Sequence, residues 1–122
     1  MQIGDAIYNL IKDSTYSVYP LRAPESAELP YVVYFITSTV PSQIKEAKST
    51  FFKYNFQVSV FHTSLRAAQT IADTIRNKID AYSGTSMTIS IDKIEFENEY
   101  HLYEDEINVY HIIQDYSLTT KT

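Results

Sequence analysis

Residues 51–84 read FFKYNFQVSVFHTSLRAAQTIADTIRNKIDAYSG, and the change of period inside this stretch decides the fold. Over residues 51–62 apolar and polar residues alternate. Phe52, Tyr54, Phe56, Val58 and Val60 face one way and Lys53, Asn55, Gln57 and Ser59 the other, the two-residue period of a half-buried strand. From residue 65 to 82 the spacing becomes three and four: Leu65, Ala68, Ala72, Ile75, Ile79 and Tyr82 draw one apolar stripe down a helix, opposite Arg66, Gln69, Asp73, Arg76, Lys78 and Asp80. Thr63 or Ser64 supplies the N-cap, because its side-chain oxygen can accept from an orphan backbone N–H. Ser83 and Gly84 end the helix.

Upstream, residues 31–39 (YVVYFITST) are dense in β-branched and aromatic side chains and form a strand antiparallel to the first. Tyr31, Val33 and Phe35 share one face and Val32, Tyr34 and Ile36 the other, so the strand is expected to be central and covered on both sides. The polar connector 40–50 is a long hairpin tip or a brief helical turn on the surface. Ile3, Ile7, Leu10 and Ile11 mark a short amphipathic helix over residues 2–12. Pro20, Pro24 and Pro30 make the following segment a loop, with room for a short edge strand at residues 17–19.

Downstream, a strand is expected at residues 87–97. Met87, Ile89 and Ile91 alternate, whereas Ile94 and Phe96 fall on the opposite parity, which predicts a β-bulge near Asp92 or Lys93. The ending EDEINVYHIIQDYSLTT is a closing strand with Ile107, Val109, His111 and Ile113 on one face and Tyr110, Ile112 and Tyr116 on the other. The class is α+β, one domain over residues 1–122: an antiparallel sheet of four strands or slightly more, two helices on one face, order α-β-β-α-β-β. Two helices leave the second sheet face uncovered. That face is expected to show Val32, Tyr34, Ile36, Tyr110 and Ile112 and to meet another protein chain.

The 122 residues include no cysteine, which removes disulfides, thiolate metal sites and a cysteine nucleophile together. The absence of cysteine fits a reducing compartment, no basic start with an unbroken apolar run marks a signal peptide, and no run nears the ~20 apolar residues of a membrane-spanning helix. The sequence reads as soluble and cytoplasmic, with no membrane partner. A net charge of -5 opposes binding to a phosphate backbone. His62, His101 and His111 show no metal-binding spacing, no serine motif for catalysis is present, and two glycines cannot build a phosphate-cradling loop, so no catalytic residue, metal or cofactor is expected. The 11 tyrosines suit both strand cores and protein interfaces. Glu95, Glu97, Glu99, Glu104, Asp105 and Glu106 form an acidic cluster, and spacing of two places the first three on one side of a strand. A solvated hairpin tip explains them, as does the rim or lining of a channel that DNA must not stick to.

Four segments together resemble the tail-completion, or tail-terminator, proteins of long-tailed bacteriophages and prophages. They are the N-terminal helix, APESAELPYVVY (residues 23–34), FQVSVFHTSLRAAQTIADTIRNKID (residues 56–80) and VYHIIQDYSL (residues 109–118). Members often carry tryptophan at the strand end before the helix, where this chain has Phe61. The resemblance implies a non-enzymatic α+β subunit of the virion tail, assembled in the bacterial cytoplasm. It implies a ring, commonly a hexamer, that caps the finished tail tube, contacts tail-tube and head–tail connector proteins, and lets DNA pass through its lumen. Tube or head contacts are expected on the connector, at Ile44, Lys45 and Lys48, and on the acidic hairpin. The competing readings are a small oligomeric enzyme pairing His111 or His62 with a tyrosine and a carboxylate, and a generic sheet-based binding domain.

Overall fold

The computed structural model describes residues 3–43 and 50–120. Its elements are α1 (Ile3–Ile11), β1 (Ser17–Pro20), β2 (Tyr31–Gln43), β3 (Thr50–His62), α2 (Leu65–Ile79), β4 (Gly84–Ser86), β5 (Ile89–Glu104) and β6 (Val109–Thr120). They build one six-stranded sheet in the order β1-β2-β3-β6-β5-β4. The α+β class and the helices on one face are as expected. The sheet has two additional short strands, and it is mixed, because β1 runs parallel to β2. The order is therefore α-β-β-β-α-β-β-β.

The strand-to-helix passage forms as its periods dictate. Phe56, Val58 and Val60 are buried on one side of β3. In α2, Ala68, Ala72, Ile75 and Ile79 are buried, and each isoleucine contributes roughly 1.5–3 kcal/mol by leaving water. Ser64 is the N-cap, its hydroxyl accepting from the Ala67 N–H. The helix stops earlier than the stripe suggests. Asp80 is extended and Ala81, at φ 62°, takes the left-handed conformation expected nearer Gly84, so Tyr82 packs on the core from outside the helix.

Helix α1 touches β1 and β2 at one margin of the sheet and β4 at the other. One helix can reach both margins only if the sheet curls around it. The contact with β4 is specific: the Ser86 hydroxyl donates to the Ala6 carbonyl at 3.0 Å and accepts from the Asn9 amide at 3.2 Å. At the other end, Lys78 of α2 donates to the Lys12 carbonyl and to the Asp13 carboxylate, at 3.1 and 2.7 Å. The Lys78 hydrogen bond, with further ones from Thr15, lowers the Asp13 pKa to about 2.

The bulge expected near Asp92 or Lys93 is present as a register shift between Ile91 and Lys93, and it lets Ile91 and Ile94 both enter the core. A second shift, between Phe96 and Asn98, has a larger effect on the acidic cluster. Glu95 pairs with Ser117 and Glu99 with Gln114, positions of opposite parity on β6, so Glu95 and Glu99 lie on opposite sheet faces. The expectation that Glu95, Glu97 and Glu99 line one side is corrected accordingly.

The expected strand at 87–97 is in fact a hairpin. Residues 84–86 pair with 89–91 around Met87 and Thr88, both at positive φ, 50° and 70°. This turn normally selects Asn-Gly, and a β-branched threonine there is strained. Both side chains are exposed, so Met87→Asn with Thr88→Gly is expected to stabilise the protein by about 1–2 kcal/mol and raise Tm by several degrees. Thermal unfolding followed by circular dichroism measures this. An unchanged or lower Tm would show that the turn carries no strain.

Candidate protein-contact surface

The two helices select which sheet face is buried, and the choice is the reverse of the sequence expectation. Val32, Tyr34 and Ile112 are buried in the core beneath the helices, and Ile36 packs against it. Tyr110 lies on the same side at the start of β6, half-buried, its ring 4.8 Å from that of Tyr103. The four core residues are therefore not a free contact surface. Both faces of β2 are apolar, so its sequence alone could not say which side the helices take. Ile44, Lys45 and Lys48 lie outside the described residues.

The face turned away from the helices is built from the other parity, and strand register places its residues in rungs across β2, β3, β6 and β5; Val33 and Ser59 near its middle are buried, and Tyr31, Phe61 and His111 are half-buried. The first rung is Tyr31, Phe61, His111 and Leu102, the second Val33, Ser59, Ile113 and Tyr100, the third Phe35, Gln57, Asp115 and Asn98. The face thus changes from aromatic at one end to polar at the other. In the aromatic rung the rings of Tyr31 and Phe61 lie 5.0 Å apart and those of Phe61 and His111 stack at 4.1 Å, while Tyr19 meets Tyr31 edge-on. Leu21, Arg22 and Ala23, which follow β1, form one wall of an open groove of about 370 Å³ whose floor includes Tyr31, Phe61 and His111.

His111 is the chemically distinctive member. Its Nδ1 lies 3.3 Å from Glu104, whereas Nε2 is buried and is the one such side-chain atom without a hydrogen-bond partner among the described residues. Burial lowers the His111 pKa below the ordinary histidine value, against the opposing pull of Glu104. Glu99 has a different role. Burial pushes its carboxyl up, but hydrogen bonds from Gln114 and His101, together with the Arg76 charge, outweigh this and hold it below the usual range.

The acidic residues therefore separate. Glu99 belongs to a network in which fully buried Gln114 donates to Glu99 at 2.8 Å and to the Ala72 carbonyl at 2.9 Å, and accepts from Tyr116 at 2.8 Å. Glu104 is engaged by His111. Glu95 is exposed and paired with Lys93 at 3.1 Å, while Glu97, Asp105 and Glu106 are exposed.

An enzyme reading required His111 or His62 to converge with a tyrosine and a carboxylate. His62 and His111 are of opposite parity at the end of the sheet. His62 Nδ1 accepts from the backbone of Ser64 at 3.2 Å, bracing the start of α2. Among the described residues no tyrosine hydroxyl donates to either ring, and no group of three or more acidic or histidine side chains is placed to hold a metal. Among the described residues no helix is long and apolar enough to cross a membrane.

The His111 environment gives a pH dependence of defined sign. The folded state favours the neutral ring, so the unfolded chain binds a proton first as pH falls below about 6.5, the ordinary histidine value. Stability is then lost down to the depressed folded pKa and levels off beneath it. His111→Phe retains the stack on Phe61 and removes the unpartnered Nε2. Denaturant unfolding at pH 7.5 and 5.5 is expected to show a smaller pH difference in the variant, and stability at pH 7.5 raised by about 1 kcal/mol. Equal pH differences in the two proteins would show that His111 is not the responsible group.

Comparison with known proteins gives the geometry a context. No curated protein sequence matches the chain. Among solved structures, a chain from the virion of a native gene transfer agent particle is similar, with a TM-score of 0.73 and 13% identity over 96% of this chain and 92% of that one. At that identity the likeness is one of fold. The family model described as tail completion protein gp17 matches residues 3–121. Because this match runs through both helices and all six strands, the chain belongs to the gp17 family of tail completion proteins.

Proposed function

We propose that the protein is a structural, non-catalytic part of a phage-like tail. It closes a ring of identical copies, six in the form the family resemblance implies, on the end of the completed tail tube. There it stops addition of tube subunits and presents the surface that joins the head. The observation that carries this reading is the unbroken family match over residues 3–121. The half-buried aromatic rung Tyr31, Phe61 and His111 supports it, because stiff amphipathic rings on a sheet face that no helix covers suit a protein contact.

In this reading the exposed carboxylates Glu95, Glu97, Asp105 and Glu106 rim or line the passage for DNA, repelling the phosphate backbone so that the genome slides rather than binds. Glu99 and Glu104, already engaged within the subunit, help to shape the β5–β6 hairpin that presents the others. The connector residues Ile44, Lys45 and Lys48 are kept as the candidate contact with tube or head.

Removal of the gene is expected to give tails of uneven, excessive length without joined heads, as seen by electron microscopy of lysates, and complementation is expected to restore both. Normal tails joined to heads in the deletion strain would overturn the assignment. The double substitution Glu97→Lys and Glu106→Lys is expected to leave rings on tails intact while lowering the yield of infectious particles. An unchanged yield would remove the acidic rim from the proposal and leave the capping role standing.

A further inference from the structure

The sheet has two margins, and each is covered over only part of its length. Strand β1 pairs with β2 at residues 31–34, and the Leu21 N–H adds one bond to the Tyr34 carbonyl. From residue 35 to 43, β2 has β3 on one side and, among the described residues, no strand on the other. At the opposite margin β4 pairs with β5 at residues 89–91. Backbone bonds from Ala81 to Ile94 and from Ile94 to Tyr82, with the Asp80 carboxylate accepting from the Phe96 N–H, extend that cover to residue 96. From residue 97 to 104, β5 has β6 on one side and, among the described residues, no strand on the other.

The open segments are nine and eight residues long, and they sit at opposite ends of the sheet. Register across the strands aligns Tyr34, the last covered residue of β2, with Glu99, inside the open part of β5. It aligns Ile36, inside the open part of β2, with Phe96, the last covered residue of β5. Apart from the rung of Phe35 and Asn98, where both are open, each margin is thus bare at the level where the other is covered. Two copies side by side, offset along the strand direction, bring open β2 against open β5, with β1 of one and β4 of the other lying beyond the two ends of the joint. Because β2, β3, β6 and β5 alternate in direction, this joint is antiparallel.

The side chains favour the same pairing. Residues 35–43 read FITSTVPSQ, without a charge on the edge and with Ile36, Thr37, Thr39 and Val40 suited to strands; Pro41 has no N–H to donate and a bulge lies between Ile36 and Ser38, so the pairing rests on the remaining backbone groups. A long uncharged edge is a template for a further strand. Residues 97–104 read ENEYHLYE and expose Tyr100, Leu102 and Tyr103 by 39%, 48% and 46%. Two β5 edges brought together would oppose glutamates to glutamates, which disfavours a twofold joint through β5. A neutral β2 edge meets the acidic one without that penalty.

We propose that residues 35–43 of one copy pair antiparallel with residues 97–104 of the next, placing Thr39 close to Tyr100 and His101. The contact uses a different margin of each partner, so it repeats head to tail and can close a ring. It deepens the ring reading given above and rests on it.

Because the chain lacks cysteine, engineered thiols report the joint cleanly. Thr37→Cys or Thr39→Cys is co-expressed with Tyr100→Cys or His101→Cys under mild oxidation, on assembled tails and on purified protein. Gln69→Cys, on the exposed flank of α2, serves as control. Covalent dimers are expected from at least one β2 plus β5 combination, and from neither set alone nor the control. A chain carrying both thiols of that combination is expected to give a ladder ending at the number of subunits in the ring. Rings seen by electron microscopy without a β2–β5 crosslink, or with crosslinks only between β2 edges, would overturn this joint while leaving the capping role intact. Absence of any ring, in solution or on tails, would overturn both.

Discussion

Contact of a single short helix with both margins of the sheet sets the shape of the molecule. Nine residues of α1 cannot persist as a helix alone in water. The helix exists because Ala6, Ile7 and Ile11 are buried and because Ser86 and Lys78 hold its backbone from β4 and α2. In return it draws β4 toward the side of β1 and β2. The curl therefore depends on a three-residue strand returned by the two positive-φ residues Met87 and Thr88. A local conformational penalty of roughly 1–2 kcal/mol per residue is offset by completing the helix-covered core.

The interior of that core has a polar centre. Gln114 is fully buried, yet both amide hydrogens and the amide oxygen are used, toward Ala72, Glu99 and Tyr116. A buried amide left partly unsatisfied would destabilise the fold. Satisfied, it fixes where β5 lies against β6 and α2. The bulge between Phe96 and Asn98 brings Glu99 into this position, and Arg76 lies over the Phe96 ring and near the Glu99 carboxylate. A residue that looks like surface charge in the sequence is part of the packing.

The legible and illegible parts of the sequence separate along physical lines. Local periodicity and capping are readable: the α2 stripe, a cap at Thr63 or Ser64 of which Ser64 is used, the alternation in β3, and the bulge announced by Ile91 and Ile94 both needing the core. Three features depend on contacts distant in sequence and carried no local mark. Met-Thr does not look like a hairpin turn. Nothing in ENE shows that an inserted residue sends Glu95 and Glu99 to opposite faces. Nor does β2, apolar on both sides, reveal which face α1 and α2 cover, so alternation alone assigns Val32, Tyr34, Ile36, Tyr110 and Ile112 to the contact surface. Tyr31, Phe61 and His111 could have been found by pairing β2 with β3 and β6 in register and asking which face contains the histidine, the residue least suited to a dry core.

Face and edge are distinct kinds of incompleteness, and they do not compete. Strand pairing at residues 35–43 and 97–104 would use backbone groups directed within the plane of the sheet, whereas Tyr31, Phe61 and Leu102 project from it. A subunit can therefore satisfy its margins with copies of itself and still offer its aromatic rung to something else. Tyr100 and Leu102 belong to both regions, lying on β5 at the open margin and in the rungs of the uncovered face. Pairing a second strand beside β5 would widen the face away from the helices rather than bury it, with Phe35 of the neighbour beside Glu104, at the Leu102 end of the joint. Assembly through the edges would in this way create a broader apolar surface than any one copy possesses, so that the surface for a further partner is completed only when the copies have joined.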